Sequence, residues 1–132
     1  MITVTLREII DGIETMKSLM NEPLPSRVAF QVAKLAQNMA TEYKCFEDTR
    51  LKLIQKYGEK DENGELLIDS NNQYKISSDK VQEFSKEIED LMSSSIELVN
   101  SQINIDDLTC DLTPNEMINL MPFLEENNTE EI

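Results

Sequence analysis

The chain has no histidine, no tryptophan and no basic residue after Lys86. Without histidine it lacks the commonest general base, the usual activator of a Ser or Cys nucleophile, and the main zinc ligand. A Ser–His or Cys–His pair cannot form within it. Glycine is nearly as scarce: three residues, at 12, 58 and 64, are too scattered for a phosphate-cradling loop. The two cysteines, Cys45 and Cys110, build no disulfide framework and fit a reducing compartment. Cys45, beside Phe46 in a helical pattern, reads as a buried structural thiol. No apolar run approaches the roughly 18 residues that span a bilayer. Met1-Ile2-Thr3-Val4 has neither the basic region nor the apolar core of a signal peptide. Acids are plentiful, but none falls in the Glu-x-x-His pattern of di-iron bundles. The expectation is a cytoplasmic, non-enzymatic protein with no cofactor, no metal and no catalytic residue.

What the chain does have is acid, unevenly placed. Residues 87–132 hold twelve Asp and Glu and no base, whereas residues 1–86 hold fourteen acids against twelve bases. The final third therefore accounts for most of the net charge of −14. Such a surface repels duplex nucleic acid and anionic membrane and invites basic partners.

Hydrophobic periodicity predicts a mainly α fold: an antiparallel helical hairpin or bundle with a long central helix, a small β-hairpin insertion and a short C-terminal helix. Thr5-Leu6-Arg7-Glu8 is a capping box, and Leu6, Ile9, Ile10, Ile13, Met16 and Leu19 follow as one apolar stripe. Pro23 and Pro25 make a stiff connection. From Ser26, read as a cap, a second helix runs to Tyr57 with the seam Val28, Val32, Leu35, Met39, Tyr43, Phe46, Leu53 and Tyr57. About 30 residues at 1.5 Å rise reach about 45 Å, so the first helix covers only half of it. The uncovered half predicts a homo-oligomer. Gly58 reads as a left-handed stop.

Between 58 and 77 the periodicity vanishes, and Asp61-Glu62-Asn63-Gly64 signals a turn. Leu66-Leu67-Ile68 and Tyr74-Lys75-Ile76 are candidates for paired short strands. Ser78 then caps a third helix with Val81, Phe84, Ile88, Leu91 and Met92 inward. Ile96 and Leu98, and Ile103 and Ile105, fall two residues apart, and with Leu108 they read as extended. Thr113-Pro114-Asn115-Glu116 opens a last helix, shortened or kinked at Pro122. Residues 1–126 form the single helical domain and 127–132 an acidic tail. Seven methionines read mainly as core filling, with Met117 and Met121 as the exceptions to watch.

Two surfaces stand out. Residues 27–56 carry six bases and three acids, and Arg27, Gln31, Lys34 and Asn38 share one polar helix face. That face suits a nucleotide, with Arg on phosphate and amides on base edges. The competing account pairs these charges with the acidic third, within one chain or across a dimer. Asp106, Asp107 and Asp111 are the candidate partner-binding acids of that third.

The succession Leu24-Pro25, Phe46-Glu47-Asp48-Thr49-Arg50, Lys56-Tyr57-Gly58-Glu59-Lys60-Asp61-Glu62-Asn63-Gly64, Glu83-Phe84 and Leu112-Thr113-Pro114 resembles a family of short acidic phage and prophage proteins. The resemblance covers most of the chain and is most specific at Lys-Tyr-Gly-Glu-Lys-Asp. It implies a viral or prophage origin and action in a bacterial cytoplasm, and carries over no catalytic residue. The expected function is sequestration of a host factor, in particular one of antiviral defence. The alternatives are a sponge for a nucleotide immune signal at a subunit interface and a virion assembly adapter.

Overall fold

A computed structural model describes residues 1–125; the expected acidic tail at 127–132 lies outside them. The chain is mainly helical. In order it forms β1 (Ile2–Thr5), α1 (Leu6–Leu19), α2 (Ser26–Tyr57), α3 (Val81–Met92), β2 (Ser95–Leu98), β3 (Ile103–Asn104), a 3₁₀ turn (Ile105–Asp107), α4 (Pro114–Leu120), a second 3₁₀ turn (Met121–Phe123) and β4 (Leu124–Glu125). The described residues build two compact units, one from residues 1–43 and 94–125, the other from residues 44–93, with α2 contributing to both.

In the first unit both capping boxes are present. The Thr5 hydroxyl accepts from the Glu8 N–H at 3.2 Å while the Thr5 N–H donates to Glu8 Oε1 at 2.8 Å. Thr113 and Glu116 repeat the exchange at 3.2 and 2.9 Å. The stripe Leu6, Ile9, Ile13, Met16 and Leu19 is buried, as are Val28, Val32, Leu35 and Met39 of α2. The Ala29 N–H donates to the Pro25 carbonyl at 2.8 Å, so Ser26 lies inside the first turn of α2 rather than capping it. Gly12 admits the end of the chain: a Cβ there would lie 2.9 Å from both the Asn119 carbonyl oxygen and the Phe123 ring. Pro122 ends α4 by tightening it into the 3₁₀ turn.

Alternation, hidden in so short a segment, makes Ile2–Thr5 a strand. Ile2 and Val4 face inward opposite Leu98 and Ile96 of antiparallel β2. The extended reading of Ile96 to Leu108 holds at β2 and β3 but fails at Ile105, which opens the first 3₁₀ turn, and β3 pairs in parallel with β4.

The second unit holds the largest departures from expectation. Leu66–Ile68 and Tyr74–Ile76 do pair, through the Ile68–Tyr74 bridge, but a third segment, Gly58–Lys60, pairs with both. The Leu67 N–H donates to Glu59 O (2.9 Å), Lys75 to Leu67 O (3.0 Å) and Glu59 to Lys75 O (2.9 Å). Residues 59, 67 and 75 thus close a ring of main-chain bonds.

Two like turns, eight residues apart, join its sides. Asp61 Oδ1 accepts from the N–H groups of Asn63 (2.8 Å) and Glu65 (3.0 Å), and Asp69 Oδ1 from those of Asn71 (2.8 Å) and Gln73 (3.1 Å). The residue at positive φ is Gly64 in the first (80°) and Asn72 in the second (61°). The sequence shows this repeat only as Asp-x-Asn, too short to notice.

Gly58 is not the left-handed stop of α2, since Gly64 is the positive-φ glycine. Its role is close approach: a Cβ would lie 2.5 Å from the Ile54 carbonyl oxygen and 2.7 Å from Leu66. Of the distal seam, Phe46 and Tyr57 are buried and Leu53 is half-buried, with Ile54 taking the buried place beside it, and Tyr57 meets Phe84 edge to face at 6.2 Å. Part of the cover expected from a second chain is thus supplied within this one. Cys45 is exposed while Phe46 takes the buried position. A one-residue step turns a helix by about 100°, which reverses the expectation for the thiol. α3 starts at Val81 after Lys80, which makes no side-chain cap bond, so Ser78 is not the cap. Val81 is exposed, and α3 has no fully buried residue.

Candidate functional site

The polar face of α2 lies in the first unit, and the structure divides its four residues by role. The Arg27 guanidinium lies 3.6 Å from an Asp107 carboxylate oxygen, with the two side chains 74 % and 29 % exposed. So open a pair is worth about 0–1 kcal/mol, but it directs the arginine toward the acidic third. Asn38 donates to Asn100 Oδ1 at 2.7 Å and ties α2 to the segment after β2. Lys34 Nζ sits 5.5 Å above the Phe30 ring, one helical turn earlier, a cation–π contact of roughly 0.5–1 kcal/mol at an exposed site. Gln31 is half-buried, and its Oε1 is shielded without a partner among the described residues.

Gln31 and Lys34 line a concavity of about 230 Å³ with Phe30, Val99, Asn100 and Ser101. Two of these six residues are exposed apolar side chains: Phe30 is 65 % and Val99 79 % exposed. A second hollow of about 160 Å³ continues from Val99 past Asn38, Thr41 and Glu42. Phe30 and Val99 were missed in the sequence. The signal was there in Phe30, an aromatic residue off the Val28–Val32–Leu35 seam, and in Val99, which breaks the alternation of β2.

The candidate acids are not one cluster of free charge. Asp106 and Asp107 sit on the first 3₁₀ turn, where the Asp106 N–H donates to Asn104 Oδ1 at 2.9 Å. Asp107 answers Arg27, and Asp111 is exposed four residues on. Elsewhere on α2, Lys44 pairs with Asp48 (3.5 Å), Arg50 with Glu47 (3.2 Å) and Lys56 with Glu87 (3.9 Å). Four of the six bases of α2 therefore have an acid partner within one chain: Lys44 and Arg50 on the helix itself, Arg27 at Asp107 and Lys56 at Glu87. Among the described residues no group of three His, Cys, Asp or Glu side chains is placed to hold a metal ion, and no helix is long and apolar enough to cross a membrane.

No protein-family model matches the chain, and no curated protein or solved structure is significantly similar to it. The site must be read on its own chemistry. That chemistry is recognition: two exposed apolar side chains, one ammonium group and side-chain amides around a shallow hollow.

Proposed function

We propose that the chain is a non-enzymatic binding protein of phage or prophage origin that sequesters a host protein, in the service of countering antiviral defence. The observation that carries the binding role is the exposed pair Phe30 and Val99 on the rim of one concavity. Interfaces draw most of their energy from a few aromatic and apolar anchors seated in small hollows and ringed by polar groups. At 230 Å³ the hollow falls below the roughly 300–1,000 Å³ of small-molecule sites and suits one anchoring side chain of a partner. The acidic third favours a partner with a basic rim. The phage setting rests on the family resemblance alone.

The engagements of Arg27 and Asn38 weigh against the nucleotide sponge at this face. To test the proposal, Phe30 is replaced by a photoreactive phenylalanine analogue and the protein is cross-linked in bacterial lysate. A single host protein, lost when Val99→Glu is added, is the expected result. A phage structural protein in its place establishes the assembly adapter, and a retained nucleotide lost in Lys34→Ala establishes the sponge. No specific cross-link in host lysate overturns the reading.

A further inference from the structure

The second unit contains a larger cleft, apart from the α2 face just described. It measures about 440 Å³, within the roughly 300–1,000 Å³ of small-ligand sites. Ile54 and Ile76 give it apolar walls, and the half-buried Phe84 ring and the Tyr74 ring, 40 % exposed, add two aromatic surfaces. Its polar lining is Arg50, Asn72 and Gln73.

The two like turns of the ring make this lining informative. In the first, Gly64 fills the left-handed position at no steric cost. In the second the same position holds Asn72, one of the residues that line the cleft. After glycine, asparagine tolerates that conformation best, so the turn admits it, and its place on the lining adds a neutral amide there. The acids change too: Glu62 and Glu65 of the first turn correspond to Ser70 and Gln73 of the second. The remaining acid, Asp69, is tied to two backbone N–H groups. In a chain of net charge −14, the turn beside the cleft is thus a run of neutral amides.

Arg50 sets the charge of the ligand. Its Nε and Nη2 donate to the two Glu47 carboxylate oxygens at 3.3 and 3.2 Å, leaving three of its five N–H groups. Glu47 offsets the charge and fixes the plane of the guanidinium, so the group is a poor phosphate clamp and a good donor to carbonyl or ring-nitrogen acceptors. Asn and Gln amides each present a donor beside an acceptor, the complement of a nucleobase edge, and aromatic rings accept a base face.

We propose that this cleft binds a nucleoside through its base, with the Asn72 and Gln73 amides and Arg50 on the base edge and Tyr74 or Phe84 on its face. The test follows backbone and side-chain amide NMR signals while adenosine, guanosine, cytidine and uridine are titrated separately. At least one nucleoside should give a saturable shift centred on Asn72 and Gln73. Asn72→Gly supplies the residue that the first turn already uses, so it should keep or raise the melting temperature while weakening binding about tenfold or more. ATP or its relatives should bind no more tightly than the corresponding nucleoside. The proposal is overturned by no saturable shift at low millimolar nucleoside, by undiminished affinity in Asn72→Gly, or by a nucleotide binding about tenfold tighter, which would mark an anion site instead.

Discussion

Gly12, Gly58 and Gly64 are glycines for different physical reasons. Gly64 needs a positive φ and has open space around it, so Gly64→Ala should cost about 1–2 kcal/mol through backbone strain alone. At Gly58 the obstacle is instead a backbone oxygen at 2.5 Å and Leu66 at 2.7 Å. Gly58→Ala should therefore cost at least as much, about 1–3 kcal/mol by overpacking, and loosen the ring. Urea unfolding of both variants, with amide exchange at Leu67 and Lys75, separates the two causes. The cysteines divide in a similar way. Burial first, then the nearby Glu22, raises the Cys110 thiol above its ordinary value, so less of the reactive thiolate is present at neutral pH. Iodoacetamide at pH 7.5 should label exposed Cys45 well before Cys110; equal rates would contradict this environment.

At the scale of elements, the ring between α2 and α3 joins its three sides cyclically, so no strand edge within 58–76 is left as an open template. Each Asp side chain that ties a turn satisfies two backbone N–H groups. Asp61→Ala and Asp69→Ala should each cost roughly 1–3 kcal/mol, and hydrogen exchange should rise at all three ring amides in either variant. A response confined to the altered turn would show that the ring is not cooperative. The end of α2 adds a pH dependence. A side-chain hydrogen bond to Glu87 leads in raising the Tyr57 hydroxyl above its ordinary 10.0, and one to Tyr57 leads in raising Lys56 above 10.5. Both groups hold protons more tightly folded than unfolded. Their stabilisation is complete below about pH 10 and is lost as pH rises through the raised folded values. Alkaline melts followed by circular dichroism should show this loss, and Glu87→Gln should blunt it.

For the whole molecule, the uneven charge decides how partners approach more than how the chain folds. The Arg27–Asp107 pair is too exposed to be a strong strut. Reversing Asp106, Asp107 and Asp111 to Lys should therefore lower the melting temperature little, by an amount matching about 1 kcal/mol or less for that pair. With the host partner of the Phe30 surface identified, the same variant should lose on-rate and salt dependence. A variant that unfolds or loses its solution mass with no partner present would make the acidic third structural and remove its docking role.

How much of this was legible in the sequence follows from the range of the forces involved. Capping boxes, the extent of α2, the break at Pro122 and the turn at Asp61–Gly64 depend on residues within a few positions of one another, and they stand as read. The polar face Arg27–Gln31–Lys34–Asn38 was likewise fixed by helical geometry. What engages each member was decided by distant chain: Asp107 for Arg27, Asn100 for Asn38, and Val99 to Ser101 for the hollow beside Gln31 and Lys34. The strand Ile2–Thr5 exists because β2 lies some ninety residues later, and four residues carry too little periodicity to announce it. The surroundings of Ile54 and Tyr57 come from later chain, with Phe84 of α3 on the Tyr57 ring and Ile76 and Phe84 sharing a cleft with Ile54. Local hydrogen bonding and steric preference are written in adjacent residues. Burial is a property of which surfaces meet, and tertiary structure alone decides that.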